Sequence, residues 1–251
     1  MGFAELHFHL LPGVDDGPRT LAESLALAAA AVADGTELVV TTPHIRRGML
    51  EEPREVAERV AELTGQLRRE GIPLAVRAGG ELSFEMVAKL SDAQLNAIAH
   101  GPPIGRWVLL ESPFTGRDES FTLAADELRA RGFAVVLAHP ERTTPDAVSM
   151  TGLRHELRAG SALQLNAWSV TGRYGEDVRD RALALLRSSA TAAIASDAHG
   201  GERMPWLTPA IASLTTIGDR NPRRRFDAIP WGLLSQGVRF GRGPLEHDRA
   251  A

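Results

Sequence analysis

Residues 7–18 read HFHLLPGVDDGP, and the fold turns on how they are read. His7 and His9 are two apart, so on an extended strand both imidazoles face the same side. Buried and neutral, they need partners for four ring nitrogens; protonated, they repel one another. A shared metal ion removes both difficulties. The plainer reading is a strand end carrying two solvated histidines, and an isolated HxH leaves the two readings level. A Pro-Gly turn and two aspartates, Asp15 and Asp16, follow the pair. The rest of the chain has to decide.

Working outward, short β-rich runs alternate with longer helical ones. The predicted strands are AELHFH (4–9), ELVVTT (37–42), PLAVRA (73–78), RWVLLE (106–111), FAVVLAH (133–139), ALQLN (162–166) and TAAIAS (191–196). Apolar, β-branched runs of this length suit a parallel sheet buried on both faces. Helical patterns fill 20–35, 52–71, 119–132, 144–160 and 174–189; the first opens on Thr20 and Glu23, spaced as a capping box, and stops at Gly35. Residues 83–101 make a longer excursion, and 218–226 lead to a last short helix. Seven strand–helix units in series imply right-handed crossovers. They predict a closed or nearly closed α/β barrel, one domain over 1–240 with a frayed tail at 241–251. A doubly wound open sheet is the structural alternative.

Composition narrows the chemistry. With 251 residues, 43% of them hydrophobic, the chain can bury one sizeable core. A net charge of −4 gives no nucleic-acid footprint and no polybasic membrane patch. No leader pattern opens the chain, and LALAAAAVA (25–33) is too short to span a bilayer, so the expectation is a soluble, cytoplasmic protein. The absence of cysteine excludes disulfides, thiolate zinc sites, iron–sulfur clusters and a thiol nucleophile.

Nearly every predicted strand ends on a metal-competent side chain: His7 and His9, then His44, Glu81, Glu111, His139 and Asn166, and finally Asp197 with His199. In a β/α barrel these ends converge on one mouth, where that fold keeps its active sites. Each residue has a plainer reading: His44 as a turn residue, Glu81 as a helix N-terminal acid, Asp197 as a cap. Taken together, those readings need separate causes to put acids and imidazoles at strand after strand. Uncompensated carboxylates beside VVLA and AAIA would be costly, and cations compensate them. Imidazole plus carboxylate without sulfur suits Mn, Fe, Zn or Mg, tilting toward Mn or Fe. So many ligands exceed the needs of one ion and fit two or three. Clustered ions favour phosphoester hydrolysis. Arginines stand close by, and arginine grips phosphate bidentately. Arg142 and Arg203, each within four residues of a candidate ligand, read as phosphate binders; Arg46 and Arg47 read as guides for substrate or as a solvated loop. His100, His155 and His247 read as loop, helix-surface and tail residues, and RRR (223–225) as a surface run.

HFHLLPGVDDGP, TTPHIRRGM, GGE, AHPER, QLNAWSVTGRYG and SDAH, in that order, resemble the polymerase-and-histidinol-phosphatase (PHP) superfamily. Within it the chain is most similar to the manganese-dependent protein-tyrosine phosphatases of bacterial capsule and exopolysaccharide operons, over about residues 4–205. The resemblance implies a distorted (β/α)7 barrel with a trinuclear site. Its ligands would be His7, His9, Asp16, His44, Glu81, Glu111, His139, Asp197 and His199, with Glu81 bridging. It makes Arg142 and Arg203 the phosphate-binding arginines. It implies in-line attack by a metal-activated hydroxide on phosphotyrosine of a cognate bacterial tyrosine kinase, with no phosphoenzyme. Glu5 stands where such proteins often carry an aspartate, and the arginine after SDAH is one residue nearer than usual.

Three rivals remain open at this point. One is a small-molecule phosphatase of the histidinol-phosphate type on the same scaffold. A second is an amidohydrolase- or nuclease-type metal-dependent hydrolase. That barrel ends in a single aspartate, whereas here Asp197 and His199 form a DxH pair and no eighth unit is found. The third is a barrel that serves only as a scaffold.

Overall fold

A computed structural model describes residues 2–115, 119–145, 147–188 and 191–238, so the expected tail at 241–251, with His247, lies outside the described residues. In chain order the elements are β1 (Phe3–Phe8), α1 (Leu21–Ala33), β2 (Thr36–Thr41), β3 (His44–Ile45), α2 (Glu55–Arg69), β4 (Ala75–Ala78) and β5 (Glu81–Leu82). There follow α3 (Asp92–Ile98), β6 (Trp107–Glu111), α4 (Glu119–Ala130), β7 (Ala134–Ala138), α5 (Ala147–Arg158), β8 (Ala162–Asn166) and α6 (Ala167–Val170). The chain ends in α7 (Glu176–Ser188), β9 (Ala192–Ala195), α8 (Leu207–Thr216) and α9 (Ala228–Gln236).

Pairing is parallel throughout these strands and runs β1-β2-β4 and β3-β5-β6-β7-β8-β9. β3 prolongs β2 beyond Thr42–Pro43, and β5 prolongs β4 beyond Gly79–Gly80, so the strands form seven staves in chain order. The ring closes where Asp197 N donates to His7 O (3.1 Å) and His9 N to Ala198 O (3.0 Å). This is the seven-stave barrel that the sequence predicts, the main strand of each stave within two residues of its expected bounds while β3 and β5 run beyond them, and it rules out the open sheet. The break in the third stave has a steric cause. A Cβ on Gly79 would stand 2.5 Å from Val40 Cγ1, and one on Gly80 2.6 Å from Ile45 Cγ1, so only glycine lets the two staves approach this closely.

Inside the barrel, Ala4, Leu6, Val40, Leu109, Val136 and Ala162 belong to one apolar cluster, closed at the base by Trp107 and by Leu233 and Leu234 of α9. Trp107 donates its indole N–H to Leu233 O at 2.9 Å. Helices cover the outside, α1 through Leu27, Ala28 and Ala31, and α2 through Val56, Val60, Leu63 and Leu67. Thr20 caps α1 through Glu23 N as expected, but the Glu23 carboxylate accepts from Arg19 N instead of closing the box. The excursion at 83–101 holds a 3-10 turn, Phe84–Lys89, and α3, which opens on a complete Ser91–Gln94 capping box. The expected surface run at 223–225 needs correction at its third arginine. Arg225 is only 6% exposed and donates to Leu186 O (3.0 Å) and Ala192 O (3.3 Å), tying the end of α7 to the start of β9. No described helix is long and apolar enough to cross a membrane.

Candidate metal centre

The site begins with an irregularity in β1. Glu5 pairs with Val39 and Phe8 with Thr41, so Leu6 and His7 together oppose Val40 alone. This bulge lets the strand pass from an apolar inner row, Ala4 and Leu6, to a polar one, His7 and His9, without leaving the interior. The Pro12–Gly13 turn then brings the aspartates back. Asp15 Oδ2 lies 2.8 Å from His9 Nδ1 and accepts the backbone N–H of His44 at 3.1 Å, fixing one ring and the start of β3. Opposite, His139 and Asp197 are the only non-glycine residues at positive φ among the described residues, at 35° and 52°. Such conformations cost on the order of 1–3 kcal/mol and persist where surrounding structure imposes them.

All nine expected ligands converge. Glu81 Oε2 lies 3.0 Å from His44 Nδ1, 3.1 Å from His7 Nε2 and 3.4 Å from His9 Nε2, and Oε1 lies 2.8 Å from His139 Nε2. Asp197 Oδ1 is 3.3 Å from His7 Nε2; Asp16 Oδ1 is 3.3 Å from His44 Nε2 and 3.2 Å from His199 Nε2. Four overlapping sets have donor atoms within 4.8 Å of one another: His9, Asp16, His44 and His199; His7, His139 and Asp197; His7, His9 and Glu81; His44, Glu81 and Glu111. Donor atoms bonded at 2.0–2.2 Å to one small cation stand roughly 3.0–3.5 Å apart, which is the spacing seen. Among the described residues, Glu81 Oε2, His44 Nδ1, His139 Nδ1 and His199 Nε2 are buried without a hydrogen-bond partner. Buried polar atoms are ordinarily satisfied, so four orphans on these clustered side chains fit shared cations.

Electrostatics point the same way. Burial alone would raise the Glu81 and Asp197 carboxyls, but the imidazoles around them hold both well below the usual range. Burial would lower His7, His9 and His44, yet the facing carboxylates raise all three. Glu111 moves up, through burial and then the charge of Glu81, and His199 moves down, through burial and then the charge of His9. Imidazoles are standing in for positive charge that the acids require.

Further side chains support the donors, and of these Gln164 and Glu141 are not singled out by the sequence. Gln164 Oε1 lies 2.8 Å from His7 Nδ1, leaving Nε2 free to face the site, and Gln164 Nε2 donates to Asn166 Oδ1 at 2.9 Å. Asn166, the strand-end residue expected after β8, donates its side-chain amide to Asp197 Oδ2 at 2.8 Å and so braces that carboxylate. Glu141, fully buried, accepts from Asn166 N (2.9 Å) and Ser169 Oγ (2.6 Å). Glu5 lies between staves, accepting from Ser196 N at 2.6 Å; burial pushes its carboxyl up to about 7.

Arg203 donates to Asp197 Oδ2 at 2.8 Å, and Arg142 reaches the same oxygen at 3.4 Å. Both line a cavity of about 240 Å³ over the donors, as does Arg46; Arg47 is exposed and does not. A larger groove of about 630 Å³, between α7, α8 and residues 217–225, has Arg187, Arg220 and Arg224 around leucines and no convergent donors. Asp126, His155 and Glu156 also gather, but Arg129 already sits among them, 2.7 Å from Asp126 Oδ1 and paired with Glu156, so both carboxylates of that cluster have a cationic partner within the protein.

Known proteins are similar to this chain over most of its length. The family model for capsular polysaccharide synthesis proteins, CpsB/CapC, matches residues 3–225. YwqE of Bacillus subtilis, named a tyrosine-protein phosphatase, is 31% identical over 198 residues, 78% of this chain and 76% of its own length. CpsB of Streptococcus pneumoniae, also so named, is 26% identical over 82% of this chain and 87% of its own. A solved structure from work on YwqE and CpsB, described there as metal-dependent tyrosine phosphatases, superposes with a TM-score of 0.80 at 28% identity, covering 96% of this chain and 98% of that one. A phosphotriesterase homology protein from Escherichia coli, 15% identical with a TM-score of 0.57, shares the fold alone. With a closed seven-stave barrel, nine convergent donors and a family match spanning most of its length, this chain belongs to the CpsB/CapC family of capsular polysaccharide synthesis proteins.

Proposed function

We propose that this protein is a metal-dependent protein-tyrosine phosphatase, acting in the cytoplasm on phosphotyrosine of a bacterial tyrosine kinase that controls polysaccharide synthesis. His7, His9, Asp16, His44, Glu81, Glu111, His139, Asp197 and His199 would hold two or three ions in this reading. Glu81, which faces four of the imidazoles, would help to hold them, and manganese would be the preferred metal over iron, zinc or magnesium. The observation that carries it is the convergence of nine donor side chains beneath a cavity rimmed by arginines, with Glu81 Oε2 and three of the imidazole nitrogens lacking any hydrogen-bond partner. Bound there, the ions supply an activated water and positive charge for the phosphoryl oxygens.

The protein's own groups do the rest. Arg142 and Arg203 both rest on Asp197 Oδ2, and each retains donors that a phosphate could take bidentately. Asp15 and Gln164 fix the rings of His9 and His7 from behind, so both present Nε2 to the site. Arg46, at the rim, meets the approaching peptide. The leaving phenol has a pKa near 10 and needs less proton assistance than an alkoxide.

The test pairs metal analysis of purified protein with hydrolysis of a phosphotyrosine peptide and of histidinol phosphate. Chelation by EDTA should silence the enzyme and Mn should restore it best, with the peptide preferred. Full activity in chelator would remove the metal from the scheme, and preference for histidinol phosphate would favour the small-molecule phosphatase.

A further inference from the structure

The mouth has an apolar edge that gripping a phosphate does not require. Every residue lining the cavity carries a charge or an imidazole except Met49 and Phe114. They are 40% and 44% exposed. Phe114 is nevertheless held firmly. Its ring lies parallel to the His139 imidazole, 5.6 Å between centroids at 5°, and the Arg142 guanidinium carbon sits 4.7 Å from its centroid. Thr144 N donates to Phe114 O at 2.8 Å and Thr143 Oγ1 to Pro113 O at 2.7 Å, pinning the segment to the loop after β7. An aromatic ring fixed in this way loses little freedom when a ligand packs on it.

Position around the barrel gives the pair a purpose. Met49 follows β3 and Phe114 follows β6, with only β5 between those staves, whereas Arg142 and Arg203 follow β7 and β9. The rim thus places its two apolar side chains, with Arg46, on the arc from β3 to β6, beside the arc that bears the phosphate-holding arginines. A monoester has one ester oxygen. With its phosphate on Arg142, whose guanidinium carbon is 4.7 Å from the Phe114 centroid, an organic group directed along the rim toward β6 would meet that ring. A flat aryl group satisfies both walls, because aromatic pairs and thioether–aromatic contacts add to plain burial. A polyol would leave them unpaired.

Building on the phosphatase reading above, we infer that Met49 and Phe114 form a subsite for the aromatic ring of an aryl phosphate and so select aryl over alkyl monoesters. The experiment compares binding of phenylphosphonate and methylphosphonate to Mn-loaded protein by calorimetry. This removes leaving-group reactivity from the comparison. Wild type should favour the phenyl compound. Phe114→Ser and Met49→Ser should each weaken it by about 3- to 10-fold with a much smaller change for the methyl compound. Phe114→Tyr should keep the preference, and turnover of phosphotyrosine relative to phosphoserine peptides should move in parallel. Equal weakening of both phosphonates in both serine variants would overturn the subsite, leaving Phe114 a mere brace for Arg142. Wild type that binds neither phosphonate would instead sink the phosphatase reading itself.

Discussion

At the base of the barrel Trp107, Leu109, Ala134 and Leu233 are as fully buried as His7, His9, Glu81 and Asp197 at the mouth. Equal burial has opposite consequences at the two ends. Each apolar side chain at the base gains about 25 cal/mol for every Å² withdrawn from water. Each ionisable one at the mouth loses hydration and recovers it only through its neighbours. Positive φ in non-glycine residues, among the described residues, is confined to the mouth. The base therefore supplies stability, and the mouth consumes some of it to hold a geometry that a folded chain does not otherwise need.

Substitution should separate the two ends most sharply. His139→Ala and Asp197→Asn should each lower phosphotyrosine turnover by at least about a thousandfold. The melting temperature of the metal-free protein should move by only a few degrees. Trp107→Ala should do the reverse, costing about 3–5 kcal/mol in urea unfolding while the folded fraction retains its turnover. A His139→Ala protein that unfolds like Trp107→Ala would mean the mouth is structural and the contrast false.

The difference between the ends also explains what the sequence could disclose. The staves were legible because runs such as VVLA and AAIA are apolar on both faces, and the donors because acids and imidazoles recur where those runs stop. The breaks at Thr42–Pro43 and Gly79–Gly80 hid β3 and β5, since two-residue strands carry no period. Partners such as Gln164, 157 residues from the ring it orients, depend on closure of the barrel; the one local clue was an amide inside the apolar strand ALQLN. Arg225 was misread because nothing in three consecutive arginines says which one turns inward. Of Arg46 and Arg47, likewise, only the fold shows that the first reaches the cavity.

A histidine near the base offers a finer test. His100 pairs through its backbone with Trp107, its ring centroid lies 5.1 Å from that indole, and its Nε2 is buried without a partner among the described residues. Burial, and then the charge of Arg77, lowers its pKa to about 4. The unfolded chain takes up that proton near the ordinary value of about 6.5, the folded chain only near 4. This contribution to stability is therefore complete above pH 6.5 and is lost as pH falls toward 4, by roughly 3 kcal/mol at most. Urea unfolding across pH 4–7 should show the slope, and His100→Asn should flatten that part of it. An unchanged slope would assign acid sensitivity to the mouth instead.

The smallest expected effect concerns an aromatic at the mouth, for comparison with Trp107 at the base. Arg142 lies between two rings, its guanidinium carbon 4.7 Å from Phe114 and 4.4 Å from Tyr174, and Tyr174 in turn lies 5.6 Å from Trp168. A cation held from both sides keeps its donors aimed, and each such contact is worth about 0.5–1 kcal/mol where exposed. Tyr174→Ala should then raise KM for phosphotyrosine peptide by about 2- to 5-fold with little change in melting temperature, and Tyr174→Phe should restore it. Arg142→Ala should lower turnover further and make the Tyr174 substitution silent, because the ring acts only through the guanidinium. If Tyr174→Ala lowered stability as a base residue does, or still raised KM without Arg142, the ring would not be a positioning group, and aromatics at the two ends would serve the same purpose.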